Sequence, residues 1–278
     1  MRDDFAVMIC SHGRAETLTT YDALKKCGYS GKIIIVIDDE DEQQNAYNER
    51  FDHVEVFCKE DYFREADGVI EGKQKAILYA RNACYDIAEK NGLSYFAELD
   101  DDITGFDFRY IENGKARSSK AVCLDEIFET LLSLFNHERV KVIGIMNQGA
   151  YIGGVNAKAF KEGVKRSVSN LFLLDTKRRV NFIASMNEDT CSALVYGQRG
   201  DLFLALNGVM QSSEPIGGNT TGNGMCDFYR KLTPFARTFI AVVVRPDCVL
   251  AEPAKDTFRI RISWKNAVPY IINARWKK

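Results

Sequence analysis

The chain has 278 residues, of which 46% are hydrophobic, and a formal net charge of −2. This is enough for one large α/β domain or two small ones with a real core. No apolar run approaches the ~20 residues of a membrane span, and the N-terminus lacks a signal peptide's apolar stretch, so we expect a cytoplasmic protein with no membrane partner. The eight scattered cysteines form no Cys-x-x-Cys pair, which argues against a zinc site and a disulfide framework and favours reduced, buried thiols.

The first hundred residues alternate strand and helix signals in the order expected of a largely parallel sheet. Apolar runs predict strands at 5–10, 32–37, 53–58 and 95–99, and helical spacing predicts helices at 18–24 and from about 74 to 90. Such alternation predicts a doubly wound, Rossmann-type sheet whose ligands lie beyond the carboxyl ends of its strands.

The second half is less regular. It predicts helices at 124–135 and 188–198, strands at 140–146, 180–184 and 239–244, and a glycine-rich loop at 212–224. No internal repeat is present. We therefore expect one α/β domain with a mixed sheet flanked by helices and a C-terminal extension.

Three acids in a row follow the apolar run that ends at Leu99. Asp100, Asp101 and Asp102 repel one another at the end of a buried strand unless a cation or hydrogen-bond donors gather them. Carboxylate oxygens suit Mg²⁺ or Mn²⁺, which usually share a site with substrate phosphates. The run predicts a divalent metal in a cleft, and the alternative is a solvated acidic turn.

Further polar residues are predicted at the same edge of the sheet or just beneath it. They could bind the ribose, base and phosphates of a nucleotide, although solvated turns and surface arginines are the alternatives. These residues are Ser11, His12 and Arg14 after the first strand, Asp38 and Asp39 after the second, and Arg81 and Asn82 in the helix before the three acids.

The last part of the chain is basic. Residues 225–278 contain eleven Lys or Arg against four Asp or Glu, although the whole chain is slightly acidic. This asymmetry suggests an anionic partner, either nucleic acid or the phosphates of a small ligand.

The segments SHGRAE, IDDED, ARN and ELDDDI together resemble the nucleotide-binding half of GT-A fold glycosyltransferases. The resemblance implies that an Asp-x-Asp motif, here Asp100 and Asp102, holds Mn²⁺ or Mg²⁺ on the diphosphate of a nucleotide sugar. The segment 187–200 resembles the acidic element that opens the acceptor half of that fold. In inverting members this implies Asp189, or failing it Glu188, as the base that deprotonates the attacking hydroxyl.

A closer resemblance is to the phage glycosyltransferases associated with TET-type base hydroxylases. It is carried by ELDDDI, NEDTCSALVYGQRG and RISWKNAVPYIIN. It implies transfer from a UDP-sugar to a hydroxymethylated pyrimidine, such as hydroxymethylcytosine, in phage DNA. The chain would then divide into a nucleotide-sugar half (1–110), an acceptor half (111–224) and a basic segment (225–278).

With DNA as the acceptor, the basic segment could follow a phosphate backbone, or Lys265 could close over the donor diphosphate. Four aromatic residues could stack on a base turned out of the duplex, although aromatic residues more often belong to the core: they are Phe106, Phe108, Tyr110 and Tyr151.

Several alternatives stay open. Many GT-A enzymes take a third metal ligand from a late histidine, but the only histidines here are His12, His53 and His137. Metal would then be held mainly by carboxylates, diphosphate and water. A nucleotidyltransferase, a glycosyltransferase with a non-DNA acceptor and a DNA-binding protein without activity are the other hypotheses. A NAD enzyme is disfavoured because no Gly-x-Gly-x-x-Gly turn is present, and a haloacid-dehalogenase-type phosphatase leaves the three acids unexplained.

Overall fold

A ten-stranded mixed sheet is the main feature of the computed structural model, which describes residues 1–65, 77–214, 234–255 and 257–267. A separate two-stranded hairpin follows it. The strands are β1 (Phe5–Cys10), β2 (Lys32–Asp38), β3 (Val54–Phe57), β4 (Tyr95–Asp100), β5 (Ile103–Glu112), β6 (Lys115–Lys120), β7 (Val140–Asn147), β8 (Val164–Lys165), β9 (Leu171–Asp175), β10 (Leu202–Ser213), β11 (Val249–Ala254) and β12 (Thr257–Ile262).

Helices cover both faces of the sheet. They are α1 (Thr19–Lys26), α2 (Gln44–Arg50), α3 (Ile77–Lys90), α4 (Leu124–Leu132), α5 (Lys158–Glu162), α6 (Glu188–Gln198), α7 (Pro234–Val244) and α8 (Trp264–Ala267). In the parts of the chain covered above, none of them combines the length and apolar character needed to cross a membrane.

The sheet has the order β3-β2-β1-β4-β9-β7-β10-β5-β6, with β8 paired to β10. Strands β1 to β4 are parallel, as predicted. Because β4 and β7 both run antiparallel to β9, and β10 is parallel to β7, the strands β1, β2, β3, β4, β7 and β10 all end at one edge. We call it the carboxyl edge. The predicted α/β architecture with a mixed sheet and flanking helices is confirmed.

Two hydrophobic layers hold the sheet between the helices. In β1, Ala6 and Met8 pack on the layer that contains α3, and Val7 and Ile9 pack on the layer that contains α1 and α4. Both faces of β1 are therefore buried, which explains its unbroken apolar run. This packing fixes the position of its carboxyl end.

The predicted strand at 180–184 is wrong. The true strand lies earlier, at Leu171–Asp175. In the segment 180–184, the backbone of Phe182 bonds to a side chain and not to a neighbouring strand. Phe182 N donates to Asn82 Oδ1, and Phe182 O accepts from Asn82 Nδ2. Val180, Phe182 and Ala184 are buried without strand pairing, so the hydrophobic run alone was misleading.

The predicted strand at 239–244 is also wrong, because the segment is the second half of α7. The helix begins at Pro234, where a missing N–H costs nothing and φ already suits a helix. Ile240 and Ala241 pack on α6, whereas Phe239 and Val243 are exposed. Tertiary packing thus overrides the β-propensity of the valines.

The other predicted elements agree with the structure to within a few residues. The helix predicted at 124–135 is α4 followed by a 3₁₀ turn at Ser133–Asn136. The start of the helix predicted from 74 and most of the loop predicted at 212–224 lie outside the described residues. The seven cysteines among the described residues are free, and five of them are buried.

Gly144 in β7 is a place where the fold requires glycine. A Cβ there would collide with the Val168 side chain and lie 2.6 Å from Leu171 O. We expect Gly144→Ala to lower the free energy of unfolding by about 1–3 kcal/mol, measured by urea denaturation. Gly105 in β5 is the control, because its Cβ would meet only Lys120 Nζ at 3.9 Å. Gly105→Ala should range from no change to a gain of about 1 kcal/mol, and equal losses in both variants would contradict this account.

Candidate active site

The acid turn is the segment of Asp100, Asp101 and Asp102, which leads from the end of β4 to β5. These two strands are not neighbours in the sheet, because β9, β7 and β10 lie between them. Thr20 at the start of α1 holds this turn. Its Oγ1 donates to Asp100 O at 2.6 Å and accepts from Ile103 N at 2.8 Å. The three acids therefore have a fixed path along the carboxyl edge.

Residues of the loop after β1 donate hydrogen bonds to Asp101, the middle acid. Asp101 Oδ1 accepts from Arg14 Nη1 at 2.7 Å, and its Oδ2 accepts from Ser11 Oγ at 2.8 Å. Ser11 Oγ also lies 2.7 Å from Tyr47 OH. Arg14 and Ser11 thus fix the acid turn, and Asp101 acts as their acceptor.

The last acid is different. Asp102 Oδ1 is buried and has no hydrogen-bond partner among the described residues. Burial, together with the charges of Asp100 and Asp101, raises the pKa of Asp102 to about 7. Although the charge of Arg14 partly opposes this increase, no described residue donates a hydrogen bond to Oδ1, and a bound cation would give this oxygen a direct partner.

Arg81 lies beneath the acid turn and is 2% exposed. Its Nη2 donates to Asp100 Oδ1 at 2.8 Å, and its Nε donates to Glu188 Oε1 at 3.1 Å. Nη1 lies 3.8 Å from Glu98 Oε2. Burial lowers the pKa of Arg81, but the three carboxylates outweigh it and raise that pKa well above its usual value. One guanidinium therefore joins β4 to the start of α6.

Glu188 and Asp189 open α6 at the same place. Burial and the charges of Asp189 and Asp100 outweigh the opposing effect of Arg81 and raise the pKa of Glu188 to about 7. Asp189 Oδ1 accepts from Thr190 N at 2.6 Å; the residue is partly exposed, and burial of its carboxyl raises its pKa. Glu188 is thus bound inside the protein by Arg81, whereas Asp189 has no ion pair with Arg81 among the described contacts.

A second polar group lies at the ends of β1 and β2. His12 Nδ1 lies 2.7 Å from Asp38 Oδ2, and Lys59 Nζ lies 3.0 Å from Asp38 Oδ1. Burial raises the pKa of Asp38, but the hydrogen bonds and electrostatic interactions with His12 and Lys59 outweigh it and hold the pKa below its usual range. Asp39 is exposed, and its Oδ1 accepts from Lys59 N at 2.9 Å.

The carboxylates of the acid turn fit a divalent metal ion that takes only some of its ligands from the protein. In the described ranges no group of three or more His, Cys, Asp or Glu side chains is arranged to hold a metal by itself. Asp102 nevertheless offers an unpaired oxygen, and the Asp100 side chain is 28% exposed beside it. Mg²⁺ and Mn²⁺ often take one or two carboxylates and complete their shells with substrate phosphates and water.

The model of the TET-associated glycosyltransferase family matches residues 5–222, which is most of the chain and includes every acid described above. The chain belongs to this family. The match confirms the family resemblance predicted from the sequence. Curated protein sequences gave no match.

Solved structures contain more distant matches. The crystal structure of GalNAc-T7 with UDP, GalNAc and Mn²⁺ aligns with a TM-score of 0.48 and 11% identity over 87% of this chain. The alignment covers 51% of GalNAc-T7, so the chain spans about half the length of that protein. At this distance no residue role transfers from one protein to the other.

The region of the carboxyl edge around the acid turn and the His12–Asp38 pair is called the crevice below. Some predicted site residues of this family member do not lie there. Asn82 is fully buried, and both polar atoms of its amide are bonded to the Phe182 backbone, so the predicted nucleotide contact is replaced by a structural one. Lys265 is exposed on α8, and no described contact joins it to the acids. Its role stays a prediction.

Of the two roles considered for the four aromatic residues, the structure favours the core over the stacking platform. Phe106 and Tyr151 are core residues, 0% and 4% exposed, and Phe108 is partly buried. Only Tyr110 is exposed. Part of the basic segment, including 225–233 and 268–278, lies outside the described residues.

Three residues that contact the site have no predicted role from the sequence: Tyr47, Lys59 and Glu98. An acid inside the apolar run 95–99 was a visible signal for Glu98, because a buried carboxylate needs a partner. Lys59 and Tyr47 gave no such signal. Their contacts with Asp38 and Ser11 depend on how α2 and the segment after β3 pack on the carboxyl edge.

Proposed function

We propose that the protein is a metal-dependent glycosyltransferase that moves a sugar from a UDP-sugar to a hydroxyl of a hydroxymethylated pyrimidine in DNA. The observation that carries the proposal is the buried Asp102 Oδ1, which has no hydrogen-bond partner among the described residues and lies beside Asp100, itself joined through Arg81 to Glu188 of α6. Family membership supports the reaction class.

On the donor side, Asp100 and Asp102 would hold Mn²⁺ or Mg²⁺ with the UDP diphosphate. When bound, the ion neutralises charge that develops on the departing diphosphate. Arg14 and His12 border the same crevice through their contacts with Asp101 and Asp38, where the nucleoside would lie. Both oxygens of the Asp38 carboxylate contact His12 or Lys59, so Asp38 would orient these two side chains and would not bind the nucleotide itself.

On the acceptor side, Asp189 is the proposed base. The hydroxyl oxygen forms a bond to the anomeric carbon, the bond from that carbon to the diphosphate oxygen breaks, and the hydroxyl proton moves to Asp189. This single displacement inverts the anomeric configuration. Glu188 is bound to Arg81 and would position α6, which favours Asp189 over Glu188 as the base.

DNA as the acceptor is supported by the TET-associated family. To test it, the protein is incubated with Mn²⁺, a panel of UDP-sugars, and plain or hydroxymethylated DNA, and nucleoside masses are measured. We expect a mass gain of one sugar on the hydroxymethylated base only. Release of UDP without a mass change on DNA would overturn the acceptor while leaving the donor chemistry intact.

Asp189→Asn should lower the transfer rate by about 100-fold or more, because the attacking hydroxyl loses its base, while UDP affinity changes little. Asp201→Asn is the matched control, since Asp201 lies just after the same helix, and it should keep full activity. Equal rates in the two variants would remove Asp189 from the mechanism. Rates and UDP binding are measured separately, by mass spectrometry and calorimetry.

A further inference from the structure

A cavity of about 320 Å³ lies among the starts of β2 and β3, α1 and the end of α2, away from the acid turn. Lys32 on its wall begins β2, whereas Asp38 at the crevice ends that strand. At the rise of a strand these residues lie about 20 Å apart. The cavity is therefore separate from the site described above.

The cavity has a mixed polar and apolar lining. Its partly exposed apolar side chains are those of Tyr21 and Ile33, whereas Ile35 and Phe51 are buried. The Tyr21 ring packs on Phe51, with centroids 5.0 Å apart and planes inclined by 60°. A supported aromatic ring next to a branched side chain suits a flat ring system.

The rim is mainly cationic. Lys25 and Lys32 are exposed, and no carboxylate of the described residues lies within ion-pair distance of either. Lys25 Nζ lies 5.7 Å from the Tyr21 ring, so its charge stands over the aromatic wall. Two ammonium groups at one opening suit a phosphate group. Asp52 is an exposed carboxylate on the same rim.

We propose that this cavity binds a nucleoside monophosphate, with its base against Tyr21 and Ile33 and its phosphate between Lys25 and Lys32. The volume lies at the lower end of the range typical of small-molecule sites, which suits a ligand of this size. The helix α1 contributes Tyr21 and Lys25 to the cavity and Thr20 to the acid turn, so both sites share one element.

The test is a calorimetric titration of the protein with UMP in the presence of excess UDP and Mn²⁺, so that the crevice is occupied. We expect UMP to bind more tightly than uridine or inorganic phosphate, because the cavity contacts both parts of the ligand. The double variant Lys25→Glu, Lys32→Glu should weaken binding by about tenfold or more. Lys26→Glu, on the same helix but outside the cavity, should leave it unchanged.

A second UMP titration uses the Asp102→Asn variant, which lacks a proposed metal ligand of the donor site. UMP binding that persists in this variant is independent of the proposed function. A 5′-phosphorylated dinucleotide, tested beside UMP, distinguishes a free mononucleotide from the end of a nucleic-acid strand. The proposal is overturned if UMP does not bind at millimolar concentration, if phosphate alone binds as well, or if the double variant and Lys26→Glu behave alike.

Discussion

Arg81→Met is expected to lower the free energy of unfolding by about 3–5 kcal/mol and to reduce sugar transfer by about 100-fold or more. The guanidinium is buried between Glu98, Asp100 and Glu188 and lies 4.4 Å from the centroid of Phe172. Methionine fills much of the volume but leaves three carboxylates without their cation. The acid turn and the start of α6 would then lose their common support.

Arg179→Met is the matched control. Arg179 also lies over an aromatic ring, 5.3 Å from the centroid of Tyr85, and it pairs with Asp86, but on the surface. Its loss should cost about 1 kcal/mol or less. Unfolding is measured with urea, and Mn²⁺ affinity by electron paramagnetic resonance in the presence of UDP. Equal losses of unfolding free energy in the two variants would show that Arg81 does not stabilise the cluster of Glu98, Asp100 and Glu188.

Arg81→Lys separates charge from geometry. Lysine keeps the positive charge but cannot donate to Asp100 and Glu188 from one planar fork. We expect this variant to recover part of the stability and little of the transfer rate. Full recovery of both by lysine would mean that only the charge matters at this position.

Asp102→Asn should change stability and activity in opposite directions. Removing one of three adjacent charges relieves repulsion at a buried, unpaired oxygen, so the metal-free protein should gain about 1 kcal/mol or more. The same change removes a proposed metal ligand, so Mn²⁺ affinity should fall at least about tenfold and transfer about 100-fold or more.

Asp22→Asn is the control for this variant. Asp22 is an exposed acid on α1 whose closest described cation, Arg50, lies 4.0 Å away. Its replacement should alter neither Mn²⁺ affinity nor transfer. If Asp102→Asn bound Mn²⁺ as the unchanged protein does, the buried oxygen would have a structural role and the proposed metal site would be wrong.

Several parts of the site could be predicted from local sequence. The run at 95–102 placed three acids at the end of a buried strand, because an apolar segment followed by charges has few other arrangements. The start of α6 at Glu188 was predicted to the residue. Such features depend on residues close together in the chain, where hydrophobic periodicity and strand ends are informative.

The separate roles of neighbouring acids were not predictable. Asp101 and Asp102 are adjacent, yet one binds Arg14 and Ser11 while an oxygen of the other has no described partner. Likewise the hydrogen bonds of Asn82 moved the segment 180–184 out of the sheet, although its composition favours a strand. These outcomes depend on partners about 90 to 100 residues away.

The sequence by itself determined the parallel first half of the sheet, the acids at its carboxyl edge and the family. These follow from short apolar runs and local motifs, whose physical effects act over a few residues. The tertiary structure decided which carboxylate is paired, which is available for a metal, and that Arg81 joins β4 to α6. Burial and charge pairing arise only when distant segments pack together, and they set the chemistry of each acid.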